Sequence, residues 1–197
     1  MILVSGIVHV GDRIQVLDKT GDIIDIGIMY TTVLEIREWV DANQPTGRLS
    51  SIPNAVVIDS VVNSFSRKFN FMWAELELPI TYDSNWRKAR ELILQVLQEV
   101  VGATVPEAEK EMRDVQRTYY LKGISVEPSI YMTLTDNWID LHIRYPVPVA
   151  HSRIAMSRVY TRLLEEIEKR SDIRIASTTQ TIALAKFPKV VVEDRSP

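Results

Sequence analysis

The sequence has no cysteine among its 197 residues. That excludes a disulfide framework and any thiolate metal site, and it suits a reducing compartment. It has three histidines, His9, His142 and His151, and their spacing matches no metal site, where three or four ligands converge with a close pair on one helix or turn. Long apolar runs are missing as well. A membrane-spanning helix needs roughly 20 consecutive apolar residues, and the stretch Ile2 to Val10 is broken by Ser5, Gly6 and His9. It also lacks the basic head and long apolar body of a secretory signal, so the chain as given reads as soluble. There is no excess of positive charge. Acids and bases are interspersed at a formal net charge of −3, which gives no case for a nucleic-acid polyanion as partner. Gly21, Gly27 and Gly47 are scattered turn glycines without phosphate-loop spacing. Ser50 and Ser51 lie in no nucleophile elbow. No cofactor, metal or catalytic residue is expected, and weight shifts to a structural or interaction role.

What is present is a patterned core. Hydrophobic residues make up 46% of the chain, enough for one large domain or two small ones. The first third reads as strands. Arg13 to Leu17 alternates polar and apolar, Asp18 to Asp22 supplies turn chemistry, and Ile23 to Ile28 and Thr31 to Trp39 are rich in β-branched residues. Asp41 to Gly47 reads as a polar loop, and Pro53-Asn54 as a turn between short strands. Residues 9–68 are therefore expected to be almost entirely β, and residues 9–70 are assigned to a small Sm/SH3-like barrel.

The period changes after Arg67. Met72 to Thr81 alternates, with Trp73, Glu75, Glu77 and Pro79 on one face and Met72, Ala74, Leu76, Leu78 and Ile80 on the other. Trp86, Ala89, Ile93, Val96 or Leu97, and Val100 then recur at helical spacing. Asp83, Ser84 and Asn85 offer caps at its start, and Gly102 is placed to end it. Glu107 to Arg113 reads as one or two helical turns with a solvated charged face. Asp136-Asn137 marks a hairpin between Tyr131–Thr135 and Trp138–Val147. Ser152 can cap a second long helix with the stripe Met156, Val159, Leu163 and Ile167, and Ile173 to Ala176 reads as a last strand. The order β-α-β-β-α-β is that of a ferredoxin-like unit, assigned to residues 71–186. Residues 84–101 and 153–170 are expected to be the two longest helices. Trp73, Trp86 and Trp138 read as packing residues rather than a ligand box.

Three stretches resemble the small-conductance mechanosensitive channel (MscS) family. The first is Val10-Gly11-Asp12-Arg13-Ile14 followed by Gly21-Asp22-Ile23. The second is Ile52-Pro53-Asn54 followed, about ten residues on, by Asn63-Ser64-Phe65-Ser66-Arg67. The third is Thr81-Tyr82-Asp83-Ser84 with Lys88-Ala89. In this second stretch Asn54 tolerates tight turn geometry and can bond nearby backbone, and Arg67 has a forked head suited to anchoring the barrel's last strand. The stretch between Ile36 and Ile52 is longer than the family's usual hairpin, and the tail is only loosely like its final strand.

The resemblance implies a homo-oligomeric ring, a heptamer by the family's count, that opens under bilayer tension and releases ions and small osmolytes. This chain would form its vestibule on the cytoplasmic side of an inner or plasma membrane. Residues 1–8 would be the trailing end of the pore helix and 187–197 a C-terminal tail, with the upstream transmembrane helices absent from the sequence. The alternative is an RNA-binding or small-molecule-sensing module built on the same folds, with Tyr131 and Trp138 as candidate stacking residues.

Overall fold

A computed structural model describes residues 6–37, 43–120 and 123–177. It is a mixed α+β structure built on two antiparallel sheets. The first contains β1 (Arg13–Val16), β2 (Lys19–Ile26), β3 (Tyr30–Ile36), β4 (Pro45–Pro53) and β5 (Val62–Ser64), paired in the order β4-β3-β2-β1-β5. The two end strands, β4 and β5, are not paired with each other among the described residues, so the ladder stays open where a barrel was expected. Ile14, Val16, Ile23, Val33 and Ile52 still converge on one core, and Val8 and Val57 complete it.

Val57 belongs to a short helix, α1 (Asn54–Asp59), which corrects the expectation of an all-β first part. Pro53 ends β4 at φ −56° and ψ 134°, and the chain turns directly into the helix at Asn54. Proline's fixed φ and missing N–H suit the position just ahead of a helix, so the dipeptide starts an element instead of linking two strands.

The second sheet contains β6 (Phe71–Ile80), β7 (Ser129–Leu134) and β8 (Ile139–Pro148) in the order β6-β8-β7. Its even-numbered β6 residues face the main core with Ile139, Leu141, Ile143, Tyr145 and Val147 of β8. Two helices cover that face, α2 (Trp86–Val101) and α4 (Ser152–Glu168). The side chain of Asn85 caps α2, accepting from the Lys88 N–H at 3.2 Å. At α4 the capping position is His151, and no side chain bonds the helix end; Ser152 is instead buried at the first helical position.

The charged stretch read as one or two turns is a full helix, α3 (Thr104–Tyr119), as long as α2 at 16 residues. Its buried residues Ala108, Met112 and Val115 follow a helical stripe, which dense surface charge obscures in the sequence. Gly102 follows the last residue of α2, as expected, but keeps right-handed helical angles at φ −57° and ψ −31°, and α3 begins two residues further on. This helix packs on the opposite sheet face, against Phe71, with Phe69, Trp73 and Val126. Phe71 is edge-to-face with both Phe69 and Trp73, each at 5.2 Å.

The expected last strand shrinks to a single bridge, Ile80 to Ile175, on the outer edge of β6. Ser84 holds it: its hydroxyl accepts from the Arg174 N–H at 2.9 Å and lies 3.0 Å from Thr81 Oγ1. Among the described residues no helix is long and apolar enough to cross a membrane. Residues 1–5, the rest of the 37–44 connection and the tail from 178 onward, including 187–197, lie outside the described residues.

Gly21 shows how tightly the first sheet is drawn. A Cβ there would lie 2.6 Å from the Leu34 carbonyl oxygen, a backbone atom that cannot swing aside. Gly21→Ala is expected to cost about 1–3 kcal/mol through overpacking, measured as a lower urea midpoint with unchanged slope. A midpoint equal to that of the parent would show that β2 and β3 have room to part.

Candidate functional site

The residues that carry the family resemblance fall into three structural groups. The first surrounds Asn54, which is buried. Its amide donates to the carbonyls of Gly27 at 2.9 Å and Ile28 at 3.0 Å, and its Oδ1 accepts from the buried Thr31 hydroxyl at 2.8 Å. The Asn54 N–H adds a bond to the Met29 carbonyl at 2.8 Å. One side chain thus fixes the whole β2–β3 tip, while Ile52 lies in the core beneath and Pro53 sets the approach. The tip itself presents Ile28, Met29 and Tyr30 to solvent at 79%, 69% and 54% exposure. A rigid apolar protrusion of this kind is a preorganised contact surface.

The second group closes the first sheet and joins it to the second. Gly11, at φ 94°, lets its N–H reach the Ile23 carbonyl at 2.8 Å, and Asp12 accepts from the His9 N–H at 2.9 Å. Ser66 accepts from the Arg13 N–H at 2.8 Å. Arg67 donates through Nη2 to the Gly6 carbonyl at 2.7 Å, binding the end of the sheet to the incoming segment. Asn63 sits in β5 opposite Gln15, with its side chain exposed. Gly21 belongs here too, as the close contact between β2 and β3.

The third group lies at the far end of β6. The Tyr82 hydroxyl donates to the Thr135 carbonyl, tying this turn to the β7–β8 hairpin. A hydrogen bond from Thr81 and the charge of Arg174 hold the Asp83 carboxylate below its usual range. The Lys88 ammonium does the same for Asp172, at 2.9 Å. The three groups are separate; the fold does not bring these residues into one pocket.

Two features were missed in the sequence. Arg13 alternates with apolar neighbours as an exposed strand residue would, yet it is 7% exposed. It forks onto Asp22, Nε to Oδ1 at 2.6 Å and Nη2 to Oδ2 at 2.8 Å, and its Nη1 donates to the Val149 carbonyl of the second unit at 3.0 Å. Glu35, fully buried in β3, is paired with Arg48 and Lys19. Neither pairing has a local sequence signal, because each partner comes from another strand.

Among the described residues no group of three or more histidines or acids is placed to hold a metal ion. His142 lies on the face of the second sheet away from α2 and α4, 3.8 and 3.7 Å from Glu75 and Glu77, and registers with Tyr131. An exposed tyrosine among carboxylates is a poor stacking platform for a polyanion. Trp138 is half-buried in the hairpin.

The outer strand β7 leaves a second apolar surface. Met132 and Leu134 point to the helix-covered side of the sheet but stay 41% and 67% exposed. With the tip at Ile28–Tyr30, they are the candidate assembly surfaces.

Comparison with solved structures gives the fold its context. The chain is similar to closed-state MscS of Helicobacter pylori, with 17% identity and a TM-score of 0.56, over 91% of this chain and 60% of that one. It is also similar to MSL1 of Arabidopsis thaliana in its A320V form, at 16% identity and 0.53, over 88% and 57%. A further MSL1 structure matches at 16% and 0.52, over 88% and 55%. This chain spans 60% or less of the length of each of these. No protein-family model and no curated protein sequence matches it. The chain therefore shares its fold with part of the MscS-type mechanosensitive channels.

Asn54→Ala removes the amide that holds Gly27 and Ile28 and strands three partners. It is expected to cost about 2–4 kcal/mol, taking about 1–3 kcal/mol for each unsatisfied buried group and allowing for water entry. Thr31→Val should add little on top, since both belong to one network. A double-mutant cycle by urea unfolding measures this. Full additivity of the two losses would mean that they act independently.

Proposed function

We propose that this chain forms the cytoplasmic vestibule of a mechanosensitive channel that releases ions and small osmolytes under membrane tension. The observation that carries the reading is the extent of the likeness to MscS. It covers 91% of the chain in one alignment, and several of the motif residues, Asn54, Ser66, Arg67 and Tyr82 among them, make structural hydrogen bonds. The sheet order supports the finer assignment. With the Ile175 bridge beside β6, the second sheet has the succession bridge-β6-β8-β7, the strand order of a ferredoxin-like unit. The first five strands enclose one core, and on this reading residues 9–70 form the barrel-like unit and 71–186 the ferredoxin-like one.

In this reading the protein has no catalytic task. Its work is mechanical and geometric: a ring of copies, a heptamer by family resemblance, encloses a chamber beneath the membrane. Such a ring needs head-to-tail contacts that close by rotation. The exposed tip at Ile28–Tyr30 and the apolar edge of β7 lie on different sheets, which suits a contact in which one surface of each copy meets another surface of the next. The pore would come from transmembrane helices upstream of residue 6, anchored at the point where Arg67 grips Gly6.

The direct test is electrical. The intact protein in liposome patches is expected to pass current when suction is applied, and to rescue cells lacking such channels from hypo-osmotic shock. An intact protein that inserts in the membrane yet stays silent up to patch rupture would overturn the reading.

The chain as given should assemble only in part. Association loses about 4–15 kcal/mol of rigid-body freedom, and soluble contacts alone must offset it. Light scattering over a hundredfold dilution is expected to show a concentration-dependent mixture with the closed ring favoured at high protein. A monomeric mass at every concentration would mean that these contacts cannot build the vestibule unaided.

A further inference from the structure

The two sheets are joined by more than the chain that runs between them. The covalent crossing lies at residues 65–70, and the corner between β8 and α4 meets it there through the Val149 N–H on the Asn70 carbonyl at 2.9 Å. Arg13 adds a buried tether to the Val149 carbonyl. A third set of contacts reaches the same corner from the β3–β4 connection. Arg37 leaves β3 in the left-handed region at φ 71° and donates through Nε to Asn43 Oδ1 at 2.9 Å. Asn43 Nδ2 faces Ser152 Oγ at 3.5 Å and Met72 Sδ at 3.8 Å. Gln44 Oε1 accepts from Arg153 Nη1 at 3.2 Å.

The geometry of attachment decides what each contact does. The crossing and the Arg13 bond hold the second unit at Val149, and a further contact at Ser152 and Arg153, on the first turn of α4, resists rotation about that attachment. We propose that the Asn43-Gln44 corner is this contact: a clamp that sets the angle between the two sheets, whose release lets one swing against the other while both remain folded. The inference stands on these contacts alone and holds whether or not copies of the chain assemble.

The chemistry suits a reversible clamp. Arg13 is buried with an ionic partner, so breaking its bond strands charge. The bonds of Asn43 and Gln44 are long, neutral on the acceptor side and close to water, which replaces them at small net cost. The approach is nevertheless organised: Arg37 in its unusual backbone conformation holds Asn43 from behind. Ser152, at 1% exposure, gives the clamp a fixed seat on the first turn of α4.

The absence of cysteine makes the test direct. Spin labels at Asp59→Cys, at the end of α1, and Glu91→Cys, on the exposed side of α2, report the spacing of the two units by pulsed electron resonance. Excess unlabelled protein suppresses distances between copies. The parent is expected to show one narrow distance, and Asn43→Ala with Gln44→Ala to broaden it at least twofold with an unchanged circular dichroism spectrum. Asn43→Ala with Gln44→Glu keeps an acceptor for Arg153 and should narrow it again. Should the double alanine variant lose its spectrum, Gln44→Ala alone is read in the same way. A distance distribution as narrow in the folded alanine variant as in the parent overturns the proposal.

Discussion

Arg13 carries a full charge where water scarcely reaches it, and the relation between the two sheets follows from how that charge is satisfied. A guanidinium has donors in a rigid fork, and a carboxylate matches two of them in one plane. Asp22, directly opposite in the β1–β2 register, supplies that match. The remaining nitrogen must find an acceptor or leave a buried donor unsatisfied, and the Val149 carbonyl provides it. Ser66 completes the arrangement from the backbone side by accepting the Arg13 N–H. A displacement of the second sheet that moves Val149 away would therefore break the bond to Arg13 Nη1. This makes the junction a fixed reference for the rest of the molecule. Lysine could not substitute, for it lacks the planar fork that serves carboxylate and carbonyl together.

A second buried polar side chain does comparable work at the other end of the first sheet. Asn54 holds the β2–β3 tip from inside, and what it fixes is an apolar tip that faces outward. The combination is informative, since flexible apolar loops lose entropy on association whereas a rigid one has little left to lose. It accounts for why a polar residue occupies a position beside Ile52 in the core: the interior is spent on shaping the exterior. In a protein whose proposed task is to hold a chamber open, such rigid surfaces and fixed angles take the place that a reactive centre has in an enzyme. The β3–β4 connection fits the same economy, since Asn43 and Gln44 at its far end lie against the second unit.

Much of the fold was legible because it rests on short-range periodicity. The alternation through β6 placed Glu75 and Glu77 outside and Ala74, Leu78 and Ile80 inside, where the structure has them. The 3.6-residue stripes located α2 and α4, and Asn85 was one of three expected caps. The family resemblance rested on residues whose local tasks were partly readable, such as the bonding of Asn54 to nearby backbone. Where sequence reading fell short, local pattern and tertiary demand diverged. Helix α3 was underestimated because Ala108, Met112 and Val115 are thinly spread among charges, and only Phe71 across the sheet shows that they form a face. Pro53-Asn54 was read as a turn because the helix after it is too short to show a period. The last strand contracted to a bridge because residues 173–176 are held by Ser84 and one edge of β6 rather than by a full ladder.

By itself, then, the sequence determined the order of the main strands with α2 and α4, the change of period near residue 70 and most apolar faces, because these depend on neighbours within a few residues. Only the tertiary structure decided that Arg13 is buried, that Asn54 governs a tip 26 residues away, and that Asn43 and Gln44 lie on α4. Each of these joins partners far apart in the chain, and no local pattern says which distant group will satisfy a buried donor.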